Sequence, residues 1–317
     1  MIVRFIRLVL FGLLAVAQPL HAEPSAAEVL EQLQRAPARG LFYEVSKGSQ
    51  KAYLFGTIHL GRPDFYPLDL ATTRALVHAS ELVLEADLRD AAGLEAAIGR
   101  HALLAGGQTL DALLPPQLAR RLHAHANARG VPREALQRLK PWMAAMTLVA
   151  TLIDELGYDA QLSTEQYLLA VAGELGKPVG QLESAGEQLG LFDGQPIQDQ
   201  IVFLEETLGG LERGEARADL AAMIDAWLAT DGDTLHALGQ KSMRETPRSA
   251  EWLEAALIND RNARMAERIE SLMAKGSTPF VAVGALHLTG DDGVPALLAA
   301  RGYRVTNLYP RPAKETP

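Results

Sequence analysis

Phe55-Gly56-Thr57-Ile58-His59-Leu60 and Val283-Gly284-Ala285-Leu286-His287-Leu288 repeat one Gly-x-x-His-Leu motif near opposite ends of the chain. Each copy follows an apolar, β-prone run, Ala52 to Phe55 in the first and Phe280 to Val283 in the second, so each histidine should leave a strand end. In open α/β sheets, ligands gather outside the carboxyl ends of the strands. A single strand-end histidine is commonly a structural residue, but two in matching contexts point to a shared site. The glycine ahead of each permits close backbone approach or a positive φ. A neutral imidazole can serve as metal ligand or as general base.

Outward from the first copy, Leu41 to Val45 and Lys51 to Phe55 read as a hairpin turning through Ser46-Lys47-Gly48-Ser49, preceded by a short helix at Ala26 to Gln34. A helix at Leu68 to Ala79 and the apolar run Leu82-Val83-Leu84 complete a βαβ-like unit. From about 93 to 176 the pattern is helical, and Pro116, Pro132 and Pro141 each suit a first helical turn. A strand returns at Pro178 to Leu182, and Gln195 to Arg213, Glu215 to Thr230 and Ser249 to Met273 read as three helices of a cap. Phe280 to Val283, the second motif, Val294 to Ala300 and Tyr303 to Leu308 restore the strand, loop, helix, strand order. The expectation is an α/β fold: a mixed sheet with helices on its faces, two pseudo-repeated strand–Gly-x-x-His units and a helical cap. It forms one domain over 23–317, with a helical insertion at about 93–176 and a helical segment at about 195–273.

Glu85 closes the strand Glu81 to Leu84, and Glu183 ends Pro178 to Leu182 in the same way. If those strands neighbour the two motifs, His59, His287, Glu85 and Glu183 share one rim. That set suits a divalent cation with N/O ligands, or acid/base chemistry. Arg261 falls on the apolar stripe Leu257, Ile258, Met265, Ile269, Leu272, and a buried guanidinium there needs a carboxylate partner or a developing negative charge. His101, His123 and His125 read as solvated surface; Trp142, Trp227 and Trp252 read as core; Gly290-Asp291-Asp292-Gly293 reads as a turn and helix cap.

The N-terminus carries Arg4 and Arg7, an apolar run from Leu8 to Ala17 and a small residue at Ala22, a secretory signal pattern over residues 1–22. The run is too short for the roughly 20 residues of a membrane-spanning helix, so no stable membrane anchor is expected after cleavage. The 317-residue chain is acidic, −9, and losing Arg4 and Arg7 makes it more so; such a surface repels nucleic acid and anionic lipid. With no cysteine, disulfides and thiolate metal sites are excluded.

With these residues in view, the chain resembles the TraB/GumN family, related to the Tiki proteases and more remotely to erythromycin esterase-like and ChaN-like proteins. The carriers are residues 54–61, Leu82-Val83-Leu84-Glu85, Lys140-Pro141-Trp142, Gly176-Lys177-Pro178-Val179, Leu182-Glu183-Ser184, Asp260-Arg261-Asn262 and residues 283–288. The resemblance implies a mixed α/β fold whose two Gly-x-x-His motifs and strand-end glutamate form a common site, used in the Tiki branch for manganese- or cobalt-dependent peptide cleavage. It assigns His59, His287 and Glu85 to a divalent metal, manganese or cobalt with zinc as an alternative, and gives Arg261 a supporting role. Family members often carry Gly-Val-Asp where this chain has Ser163-Thr164-Glu165, so no role is assigned to that acid.

The leading expectation is a periplasmic or secreted metal-dependent hydrolase, peptidase-like, acting on a peptide or small molecule, with Glu183 or Glu85 activating water. One alternative is metal-independent esterase-like hydrolysis with His59 as base and Arg261 stabilising the oxyanion. Another is a non-enzymatic binding protein for a haem-like ligand or signalling peptide.

Overall fold

Leu41–Lys47 (β1) and Gln50–Thr57 (β2) form the expected antiparallel hairpin, in register from Leu41 opposite Gly56 to Lys47 opposite Gln50. The structure, a computed structural model, describes residues 26–310 except 88, 246, 247, 250, 251 and 253; the signal segment expected at 1–22 lies outside them. Glu81–Leu84 (β3), Val179–Gln181 (β4), Pro279–Gly284 (β5) and Arg304–Asn307 (β6) complete a six-stranded mixed sheet of order β4-β3-β5-β2-β1-β6. β4, β3, β5 and β2 run parallel, while β1 is antiparallel to both its neighbours.

The two strands carrying the motifs are adjacent, with Thr57 opposite Gly284, and they lie at the centre of the sheet. Leu54, Phe55, Phe280, Val281, Ala282 and Val283 are almost wholly buried, as central parallel strands covered on both faces must be. Phe42, Phe55 and Phe280 pack with ring centroids 6.0 to 6.1 Å apart. Parallel neighbours need long crossovers, and the helical stretches supply them: those between β3 and β4 and between β4 and β5 carry most of the helices. Helices Pro141–Glu155 and Ile197–Glu212 form a second apolar cluster around Trp142, Leu148, Leu204 and Leu208, away from the sheet. Among the described residues no helix is long and apolar enough to cross a membrane.

Three expectations need correction. Ser249 to Met273 is not one helix: a π-helical turn, Ala255–Asn259, leads into Asp260–Ala274. Helices Ala185–Asp193 and Gly232–Glu245 were not anticipated, because Gly186, Gly190, Gly232 and Gly239 weaken helix propensity. Yet Ser184 and Glu187 form a capping box, and the Asp231 carboxylate accepts from the Thr234 N–H, so local cap chemistry starts both. Finally, His101, His123 and His125 are not solvated: the first two pair with Asp193 and Asp111, and His125 is buried, because their helices turn these faces inward.

Candidate functional site

All four parallel strands end on one rim, and each delivers a candidate side chain there. Glu183 follows β4 by two residues, Glu85 follows β3 directly, His287 follows β5 by three and His59 follows β2 by two. Beyond the strands, the Leu182 N–H donates to the Leu84 carbonyl at 2.8 Å and the Glu183 N–H to the Glu85 carbonyl at 2.7 Å, keeping the two glutamates side by side. The helix Asp260–Ala274 lays Arg261 across both. Its Nη2 is 2.6 Å from Glu85 Oε2, and its Nε donates to Glu183 Oε2 at 2.8 Å. The partner of Arg261 is therefore a pair of carboxylates on Nε and Nη2, with Nη1 donating to the Leu257 carbonyl at 3.2 Å. Gln188 also donates to Glu85 Oε2, at 3.2 Å.

The opposite oxygen, Glu85 Oε1, accepts from the Gly284 N–H at 2.5 Å and lies 3.6 Å from His287 Nε2. His287 Nδ1 is committed elsewhere, donating to Asn262 Oδ1 at 2.6 Å. The Asn262 amide nitrogen donates to the Asp292 carbonyl at 2.8 Å, which fixes which end of the amide faces the ring. His287 thus keeps its proton on Nδ1, and its Nε2 lone pair points toward a carboxylate oxygen with no hydrogen between them. His59 is held in a parallel manner, Nδ1 2.8 Å from Glu165 Oε1, so its Nε2 is the free nitrogen. This contact is a charge pair rather than an aligned hydrogen bond, since neither Glu165 oxygen has one. The His287 arrangement matches the way metal-ligating histidines are oriented by an acceptor on the other ring nitrogen, and at His59 the Glu165 carboxylate stands beside the corresponding nitrogen.

The three side chains surround one point. A methyl group placed on Gly284 would stand 3.2 Å from Glu85 Oε1, 3.6 Å from His59 Nε2 and 3.7 Å from His287 Cδ2. The motif glycines serve close approach rather than positive φ: at Gly56 a Cβ would lie 3.1 Å from the Ala285 Cα, backbone of the second copy. The loop after His59 is pinned by paired backbone bonds between Gly61 and Asp159, where any side chain at 61 would collide with the Leu162 carbonyl. The Thr164 N–H donates to the Ile58 carbonyl at 3.1 Å and ties the start of the helix Thr164–Glu174 to this loop.

The electrostatics split the two imidazoles. The Glu165 charge pushes His59 up to about 9 against the opposing effect of burial, with Glu85 adding to the pull. His59 keeps 70% of its side chain exposed at the cleft mouth, so water screens part of that attraction without reversing it. His287 is buried, and desolvation pushes it down to about 4 despite Glu85. Burial pushes Glu85 up, but His287, Arg261, His59 and the Gly284 N–H bring it down to about 2. Because His287 is neutral near pH 7, Arg261, His59 and the N–H hold Glu85 ionised there. For Glu165, burial is more than offset by the His59 charge, leaving it below its ordinary value.

Two imidazole Nε2 atoms and one carboxylate oxygen are the donor set of a borderline divalent cation, so these residues fit a metal in kind. Among the described residues, however, no three His, Asp or Glu side chains stand close enough to grip one ion in this arrangement. Reading the sequence found His59, His287, Glu85, Glu183 and Arg261, and the fold brings all five to one rim. It missed Glu165, Asn262 and Gln188. Asn262 had a visible signal: it neighbours Arg261 at a helical position that turns out fully buried, where an amide needs partners.

Compared with known proteins, the profile described as the TraB/PrgY/gumN family matches residues 41–307. The uncharacterized protein YbaP of Escherichia coli (strain K12) is 27% identical over 252 residues, covering 79% of this chain and 89% of that protein. Metalloprotease TIKI2 of Danio rerio is 26% identical over 308 residues, 82% of this chain, and the match spans 59% of the TIKI2 length. A metalloprotease TIKI homolog of Nematostella vectensis is 24% identical over 326 residues, 87% of this chain and 68% of that protein. No solved structure matches, so the remote erythromycin esterase-like and ChaN-like comparison gains no support.

Proposed function

The chain belongs to the TraB/PrgY/gumN family, and from that premise we propose that it is a secreted, metal-dependent, peptidase-like hydrolase in which His59, His287 and Glu85 hold the cation. The observation that carries this reading is the hollow over Gly284, ringed by Glu85 Oε1, His59 Nε2 and His287. The similarity to TIKI metalloproteases supports the reaction class. A divalent cation there would lower the pKa of its bound water from 15.7 to roughly 7 and polarise a carbonyl.

The protein's own groups divide the remaining work. Glu85, ionised throughout the physiological range, offers a permanent negative charge. It is too weak a base to serve mainly as proton acceptor. Arg261 and the Gly284 N–H fix its two oxygens. Glu183 Oε2 is taken by Arg261 and Gln188, so Glu183 positions the guanidinium. Asn262 keeps His287 in the tautomer whose unprotonated Nε2 faces Glu85 Oε1. His59 holds a proton near neutrality and must release it to donate its lone pair, so cation binding should release protons.

One observation favours a second reading without metal: no three donors are gathered tightly enough to ligate as they stand. In it His59 is a proton donor rather than the base the sequence suggested. Metal analysis of freshly purified protein, followed by a peptide-library digest with EDTA and with added manganese, separates them. The primary reading expects bound metal and cleavage that EDTA abolishes and manganese restores. Chelator-resistant cleavage selects the second, and protein with neither metal nor cleavage refutes both. Secretion is checked by N-terminal sequencing of the periplasmic fraction, expected to begin at Glu23.

A further inference from the structure

Away from the rim, a cleft of about 600 Å³ opens between the helix Ala91–His101, the loop after it, the Arg138 to Lys140 segment and the start of the helix Ile197–Glu212. Its frame is rigid. The backbone bridges Leu103 to Leu139, the Leu104 N–H donates to the Arg138 carbonyl at 2.8 Å, and the Lys140 N–H donates to the Ala102 carbonyl at 2.9 Å. Arg100, Arg138 and Lys140 line it, and no carboxylate does. Lys140 belongs to the Lys140-Pro141-Trp142 stretch that the site at the rim leaves unused; its amine is held by Asp193, which also pairs with His101 at 2.9 Å.

Most arginines of this acidic chain carry a carboxylate partner: Arg121 on Glu212, Arg133 on Asp111, Arg217 on Glu155, Arg301 on Glu270. Arg100 and Arg138 carry none among the described residues, and both reach one cleft. Two guanidiniums around a common space suit an oxyanion, which each can bind with paired N–H donors. Apart from Gln108, the side chains of the remaining wall are apolar, among them Leu103, Leu104 and Ile197, and Ile197 is exposed at 42%. The volume is that of an organic ligand rather than a lone ion.

We propose that this cleft binds a carboxylate or phosphate carried on an apolar body, at a site separate from the strand-end rim. The test is calorimetric titration at low salt with sodium octanoate, octyl phosphate, inorganic phosphate and octylamine, on the wild-type chain and on Arg100→Ala/Arg138→Ala. Both substitutions fall on exposed side chains, so the variant keeps its thermal midpoint. Octanoate or octyl phosphate should bind wild type roughly tenfold or more tightly than the double variant, and whichever binds better identifies the headgroup. Ile197→Ser should weaken octyl phosphate and leave inorganic phosphate unchanged. Equal binding to wild type and the double variant, octylamine binding as well as octanoate, or no binding of either anionic amphiphile overturns the proposal.

Discussion

The two copies of the Gly-x-x-His motif begin alike and end in opposite chemical states. Both leave adjacent parallel strands with Thr57 opposite Gly284, both set Nδ1 against an oxygen of a distant helix, and both rings border the same hollow. The first copy runs into an open loop, so His59 stays exposed, pairs with the Glu165 carboxylate and holds a proton at neutral pH. The second coils into a short 3-10 turn, Ala285–Leu288, so His287 is buried against a neutral amide and stays deprotonated. Spacing within a motif decides where an imidazole arrives, and the element that packs on it decides its charge.

The largest test of this picture removes what the copies share. Arg261→Leu leaves Glu85 and Glu183 buried without their cation, and should cost about 3–5 kcal/mol in urea unfolding. A cost under about 1 kcal/mol would mean the carboxylates reach water. Next come the glycines. Gly56→Ala pushes a methyl toward the Ala285 backbone and should cost about 1–3 kcal/mol. Gly284→Ala meets side-chain atoms no nearer than 3.2 Å rather than backbone, so it should cost less stability while filling the hollow and abolishing metal binding in a calorimetric titration. Equal metal affinity in Gly284→Ala and wild type would separate the hollow from any cation.

A subtler contrast lies in the pH dependence of stability. His59 has a folded pKa raised above its unfolded 6.5, so its contribution is complete below 6.5 and is lost as pH rises through about 9. His287 has a folded pKa lowered to about 4, so the unfolded chain takes up its proton first and stability falls as pH drops from 6.5 toward 4. Glu85 extends that acid loss from about 4.5 toward 2. Urea midpoints from pH 3 to 10 should therefore lose the alkaline limb in His59→Gln and part of the acid limb in His287→Gln. If either variant flattened the other's limb, the asymmetry would be misassigned. Smallest of all, Glu165→Gln should lower the His59 pKa toward 6.5 in an NMR titration while His287 stays put. An unmoved His59 would show that Glu165 does not hold its proton.

Much of the site could be read before any fold was known. His59 and His287 stood out by repetition, Glu85 and Glu183 by closing apolar strands, and Arg261 by a charge on an apolar helical stripe. Glu165 and Asn262 were visible as residues, one at the position of a family acid and one beside Arg261, but their roles escaped because each acts on a histidine from a distant segment that only packing brings near. The helices at 185–193 and 232–245 escaped because their glycines mask cap signals that Ser184, Glu187 and Asp231 nonetheless carry.

By itself, the amino-acid order determined the strands, the hairpin, the alternation that makes the sheet mixed, and the residue types available at each strand end, because backbone periodicity and apolar pattern are local properties. Only the tertiary structure decided that β5 lies between β2 and β3, that Arg261 bridges two carboxylates, and that one imidazole is charged while its twin is not. Strand order and protonation depend on desolvation and on partners brought from distant segments, and those exist only once the chain has packed.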